Sequence, residues 1–199
     1  MTFQSPLTRI KFWTGAALIG AALLGGCSAT ETVTDYFSKP VILPCPDYRI
    51  LADAADYTTY RPGAGRDLID VDVEGKFNNM QVACLTKIDK ETRIGVMEVE
   101  ITLAFTAQRG PANTTRKATF PYFISVTDLN KKILYREEFN VSVDFKGNLT
   151  GFGFRNKPIT LELPLKPDVT GENYIIFTGF TLTRDQLELN RTRRRQVTR

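Results

Sequence analysis

MEVEITLAF, residues 97–105, decides the fold class. Apolar side chains stand at Met97, Val99, Ile101, Leu103 and Phe105, separated by Glu98, Glu100, Thr102 and Ala104. A period of two puts successive side chains on opposite faces of an extended chain, so the run reads as a strand with one buried face. The same alternation recurs on both sides of it. Upstream, LIDVDVE over 68–74 lines up Ile69, Val71 and Val73. Downstream come Tyr122, Ile124 and Val126, then Phe139, Val141, Val143 and Phe145, then Ile159, Leu161, Leu163 and Leu165. The last stripe is Tyr174, Ile176, Thr178, Phe180 and Leu182, with Ile175 and Phe177 between its members. A strand apolar on both faces belongs in the middle of a sheet.

Turn chemistry separates these runs: Arg109-Gly110-Pro111, Asp128-Leu129-Asn130, Lys146-Gly147-Asn148 and Thr170-Gly171-Glu172-Asn173. No stretch of 12 residues inside this region has helical periodicity. Seven or so short strands at such spacing predict an all-β antiparallel sandwich, with a closed barrel as the rival. Pro164-Leu165-Lys166-Pro167 followed by Tyr174-Ile175-Ile176 resembles the corner before the penultimate strand of fibronectin type III domains. The resemblance implies an immunoglobulin/fibronectin-III-like sandwich in which the Tyr174 hydroxyl bonds to nearby backbone. The alternative is that Tyr174 is a plain core aromatic.

After the last strand, Thr183-Arg184-Asp185-Gln186 fits a helix N-cap with a capping-box glutamine, and Leu182 could staple onto Leu187. This predicts a short C-terminal helix over about 184–190, which must pack on the body because two turns do not stand alone. The domain is therefore bounded at 41–190, with residues 191–199 expected as a basic flexible tail.

Charge sharpens that boundary. The chain carries 26 Lys and Arg against 22 Asp and Glu, a net +4. Residues 1–26 contribute +2 through Arg9 and Lys11, and residues 191–199 contribute +5 through Arg191, Arg193, Arg194, Arg195 and Arg199. Residues 27–190 are left at −3, so the basicity is local. Arginine forks bind phosphate and carboxylate in bidentate fashion, which makes the five arginines candidate anion or partner contacts. The bland reading is a solvated terminus.

The N-terminus is an address. Arg9 and Lys11 precede a short apolar run from Phe12 to Leu24, followed by Gly25, Gly26 and Cys27. That run is roughly 13 residues, against the roughly 20 a membrane-spanning helix needs, so a cleaved signal peptide over 1–26 is expected rather than an uncleaved span. Leu24-Gly25-Gly26-Cys27 resembles the lipobox of bacterial lipoproteins. The resemblance implies diacylglyceryl on the Cys27 thiol, cleavage before it and acylation of the new amine. Several acyl chains make an anchor, since each buried CH₂ contributes about 0.8 kcal/mol. Ser28 resembles the residue of exported rather than retained lipoproteins, which favours the outer over the inner membrane, facing the periplasm. Residues 27–40 then form a lipidated polar tether. Cys45-Pro46 after the tether, Arg109-Gly110-Pro111, Pro121-Tyr122-Phe123 and Gly179-Phe180-x-Leu182-Thr183 with Gln186-Leu187 resemble, across most of the mature chain, uncharacterised proteobacterial envelope lipoproteins, which imply no site.

Cys45 and Cys84 remain once Cys27 is lipidated, and an oxidising compartment predicts a disulfide between them. A redox or metal pair would want Cys-x-x-Cys or histidine, and the chain has neither. The absence of histidine also removes the commonest general base and zinc ligand. Asp70, Asp72 and Glu74, if on one strand face, could bind calcium, but such rows are usually the wet face of a strand. Ser38-Lys39 would face apart on a strand, and no Gly-x-Ser-x-Gly or Gly-rich phosphate loop occurs. Phe152 and Phe154, read as loop positions in a Gly151-Phe152-Gly153-Phe154 turn, either plug the core end or anchor a partner, the core being favoured.

The expected protein is thus a lipid-anchored, non-enzymatic binding or scaffold module of the cell envelope, with no cofactor and no metal. Its expected partners are the membrane through Cys27 and an envelope protein. An anionic glycan or lipid held by the arginines is the alternative, and nucleic acid is in the wrong compartment.

Overall fold

The computed structural model describes residues 42–197. The expected signal peptide, Cys27, the tether over 27–40 and Arg199 lie outside the described residues. Among those described, nine strands form two sheets, followed by one helix, an all-β sandwich with a C-terminal helix. The first sheet is ordered β1 (Asp47–Ile50), β9 (Tyr174–Phe180), β5 (Lys117–Asp128), β6 (Ile133–Asp144). The second runs β2 (Asp56–Tyr60), β3 (Val71–Ile88), β4 (Gly95–Arg109). On the far edge of β4, β7 (Gly151–Arg155) and β8 (Ile159–Leu165) follow one another. Pairing is antiparallel except that β1 lies parallel to β9. β1 lies beside the last strand before the chain crosses over the turn Ala52–Ala54 into the other sheet.

The alternation of β4 is the core's spine. Met97, Val99, Ile101 and Leu103 are fully buried, and Phe105 is buried with them. Opposite stand Phe120, Tyr122, Ile124 and Val126 of β5 with Ile176 and Phe180 of β9. Ring contacts bridge the sheets: Phe77 to Phe180 at 4.5 Å and Phe105 to Tyr122 at 5.6 Å between centroids. β9 sits between β1 and β5, the interior place its two apolar faces require. At Gly75 a Cβ would come within 2.7 Å of the Phe120 ring, so glycine is what lets that ring seat against β3.

Two irregularities keep neighbours in step with β4. The register of β3 shifts between Phe77 and Asn79, so inward positions change from Val73 and Phe77 to Met80, Val82 and Cys84. Between β7 and β8 the pairing moves from Ala104↔Arg155 to Ile101↔Ile159, one residue out of step. The inward stripe accordingly changes from Phe152 and Phe154 to Ile159, Leu161, Leu163 and Leu165. At that break the Leu103 N–H donates to the Asn156 side-chain oxygen at 2.7 Å, so an amide side chain stands in for the missing strand carbonyl. The segment around Phe152 and Phe154 is therefore a strand rather than a turn. Phe154 stacks on Phe105 at 5.2 Å, and Phe152 meets Phe145 edge-on at 5.5 Å, so both serve the core.

The start of the stripe at 68–74 differs from the alternation. Leu68–Asp70 is a 3-10 turn, Ile69 is exposed, and only Val71 and Val73 face the core. The cause is Asp70. Its carboxylate is buried, accepts the Asp67 N–H at 3.1 Å and pairs with Arg61 at 2.5 Å, pulling the chain out of the extended conformation.

The Cys45–Cys84 disulfide is formed across 39 residues, with Cα atoms 5.9 Å apart. It ties the segment before β1 to β3 and, on chain-entropy grounds, stabilises by roughly 4 kcal/mol. Near the same end of the sandwich, where β1 pairs with β9 at Asp47 and Ile175, the Tyr174 hydroxyl donates to the Pro164 carbonyl at 2.7 Å.

Burial holds the phenols of Tyr57, Tyr122 and Tyr174 above the ordinary tyrosine value of 10.0. The unfolded chain therefore loses these protons first as pH rises through that value, and stability must fall there. We predict a declining urea midpoint above about pH 10, with a shallower decline in Tyr174→Phe because one titrating phenol is gone. The same variant should lose about 1 kcal/mol at neutral pH, where the hydroxyl bond is the only difference. An unchanged slope would contradict the burial of Tyr174.

Candidate anion-binding site

The residues that follow β9 begin as the capping signal predicts. The Thr183 N–H donates to the Gln186 side-chain oxygen at 2.9 Å, and the Gln186 N–H donates to Thr183 Oγ1 at 3.3 Å. The helix they start, α1, is longer than expected: Arg184–Val197, 14 residues. Arg191, Arg193, Arg194 and Arg195 are therefore helical and not a flexible tail. Nothing in the sequence after Thr183 breaks a helix, since no Gly or Pro follows. Arg194 and Arg195 also lie in the last turn, where cations complement the helix dipole.

What seats the second half of α1 is polar. Asn190 is buried, and its side-chain N–H groups donate to the carbonyls of Asp53 at 3.0 Å and Asp56 at 2.7 Å. Gln186, one turn earlier, donates to the Thr58 carbonyl at 2.9 Å. Arg191 Nε donates to Asp53 Oδ2 at 3.0 Å, and Arg194 pairs with the other oxygen of the same carboxylate. Arg193 donates to Thr58 Oγ1 at 3.2 Å and stands 4.0 Å from Glu74. Arg195 donates back to the Arg191 carbonyl at 3.3 Å. An apolar stripe ends at Leu189, so hydrophobic pattern alone stops the helix too early.

Leu187, Arg191 and Arg194, at helical spacing, face a cleft of about 590 Å³ between α1, the turn Ala52–Ala54 and the outer surface of β5 and β6. Its floor is apolar, formed by Leu51, Phe123, Phe180, Leu182 and Leu187. A third guanidinium, Arg136 of β6, lies 3.9 Å over the centroid of the Phe123 ring and donates to Glu138 at 3.1 Å. Stacking on the ring fixes the height of this cation above the floor. Arg136 and Asp53 carried no signal in the sequence. They reach the cleft only because β5, β6 and the crossover turn converge there.

The three acids at the start of β3 do not form a calcium site. Asp70 faces Arg61, Asp72 accepts a bond from Asn113 at 2.9 Å, and Glu74 stands near Arg193. Among the described residues, no three His, Cys, Asp or Glu side chains are placed to hold a metal. Cys27, Ser38, Lys39 and Arg199 lie outside the described residues. Comparison of the chain with family models, with curated proteins and with solved structures finds no match.

Magnitudes rank the contacts that hold α1. Exposed ion pairs contribute about 0.2–1 kcal/mol, whereas stranding a buried hydrogen-bonding group costs about 1–3 kcal/mol. Asn190→Ala leaves two carbonyls without their donor and should lower stability by about 2 kcal/mol, while Asp53→Asn should cost under about 1 kcal/mol. Urea unfolding of the two variants checks the order, and a larger loss in Asp53→Asn would show that charge, not the buried amide, seats the helix.

Proposed function

We propose that this chain is a lipid-anchored protein of the cell envelope that works by binding, without catalysis, and that α1 is its contact surface. The lipid on Cys27 holds it to the membrane, facing the periplasm, with the outer membrane favoured. The sandwich is of the immunoglobulin/fibronectin-III-like kind, a reading supported by the bond from Tyr174 to Pro164 in the proline-bounded corner. The Cys45–Cys84 disulfide suits an oxidising compartment.

The observation that carries the binding reading is the placement of four arginines, 191, 193, 194 and 195, on one docked helix. A docked helix presents its guanidiniums with little ordering left to do on binding, which favours affinity for an anionic partner. The partner class is an envelope protein with an acidic patch, and the module serves as a scaffold or assembly accessory. An anionic glycan or lipid is the second reading, favoured by the same arginines.

Fractionation of cells expressing the full-length chain tests the anchor. The native chain should sediment with membranes and take up labelled fatty acid, and Cys27→Ser should do neither. In the same preparations, envelope components that co-purify with the native chain should be lost in the double variant Arg191→Ser, Arg193→Ser. Membrane retention and unchanged labelling of Cys27→Ser would refute the anchor, and undiminished co-purification would refute the arginine contact.

A further inference from the structure

We infer that the cleft beneath α1 is a binding site for an amphiphilic anion: a carboxylate or phosphate head carrying a single aliphatic chain. The inference rests on the binding-module reading and deepens it by naming a ligand class for one side of α1. Two chemistries meet in this one cleft. The floor is apolar and includes Phe123, which β5 turns to the outer surface of the first sheet, and Leu51, still partly open to solvent. The rim carries Arg136, Arg191 and Arg194.

The charge of the rim selects the sign of the head. Of the charged side chains that line the cleft, three are guanidiniums, Arg136, Arg191 and Arg194, and one is a carboxylate, Asp53, which pairs with both Arg191 and Arg194. Guanidiniums outnumber carboxylates along the rim, which favours an anionic head. A guanidinium carries five donors, and the contact each of Arg136 and Arg191 makes with its carboxylate does not exhaust them. Both cations are also set in place before any ligand arrives, Arg136 by stacking on Phe123 and Arg191 by Asp53. A small inorganic anion would use the rim and leave the floor wet. A neutral apolar molecule would cover the floor and gain nothing from the rim. An amphiphilic cation would be repelled. Only a ligand with both parts uses both, and a cleft of about 590 Å³ lies in the ordinary range for small-molecule sites.

Titration of the full-length chain with octyl phosphate, octanoate, octyltrimethylammonium and inorganic phosphate, followed by calorimetry, tests this. Octyl phosphate and octanoate should saturate one site. Octyltrimethylammonium and inorganic phosphate should bind at least about tenfold more weakly, the scale of one charge-assisted contact or a buried chain. The ratio of octyl phosphate to octanoate distinguishes a phosphate from a carboxylate source. Arg136→Gln and Leu51→Asn, both at exposed positions where folding is safe, should each weaken octyl phosphate by about tenfold without moving the urea midpoint. Equal binding of the cation, equal binding of inorganic phosphate, no saturable binding at all, or unchanged affinity in both variants would each overturn the proposal. Loss of amphiphile binding with envelope co-purification intact would remove the cleft alone. The reverse pattern would remove the partner contact and leave the cleft.

Discussion

Once the inward side chains of β4 leave water, the backbone groups buried with them need partners, and that demand shapes the rest of the molecule. The strands satisfy most of it through their ladders. Where a ladder fails, an asparagine takes its place. Asn156 accepts from the Leu103 amide at the break between β7 and β8. Asn113 is buried in the loop after β4, where it donates to Asp72 and to the Lys117 carbonyl and accepts from the Arg116 amide. Asn190 reaches from α1 to the two carbonyls of the crossover. Each supplies from a side chain what regular structure would have supplied from the main chain.

This explains which parts of the fold could be read from the residues. The stripes at Met97–Phe105, Ile159–Leu165 and Tyr174–Phe180 lie in strands whose own inward parity never changes, so a period of two identifies them. β3 runs for 18 residues but changes its inward parity at Asn78, and its pattern is legible only in pieces. β1 and β2 escaped because a four-residue parallel edge strand and DYTTY carry no clean alternation. Asp70 imitated an outward strand residue, yet it is buried and ion-paired. A local pattern cannot reveal that an arginine nine positions earlier meets it.

The site follows the same logic. The N-cap, the capping glutamine and the disulfide partners were legible, because each is a local or pairwise signal with a definite chemistry, whereas the Tyr174 hydroxyl bond followed only from a resemblance that left a plain core aromatic open. The continuation of α1 past Asn190 was not. Its stability comes from polar contacts with Asp53, Asp56 and Thr58, residues some 130 positions away, and the arginines looked like a solvated end. Docking changes what those arginines can do. A flexible basic tail offers diffuse attraction that salt screens, whereas guanidiniums fixed above an apolar floor can select for shape as well as charge.

α1, including its arginines, is part of the folded body rather than an appendage. Native-state hydrogen exchange at the amides of residues 188–195 measures this directly. Seating by Asn190 predicts protection well above that of a free peptide of the same sequence, lost on Asn190→Ala while the amides of β4 stay protected. Exchange at free-peptide rates in the native chain would contradict the docked helix, and with it the cleft it covers.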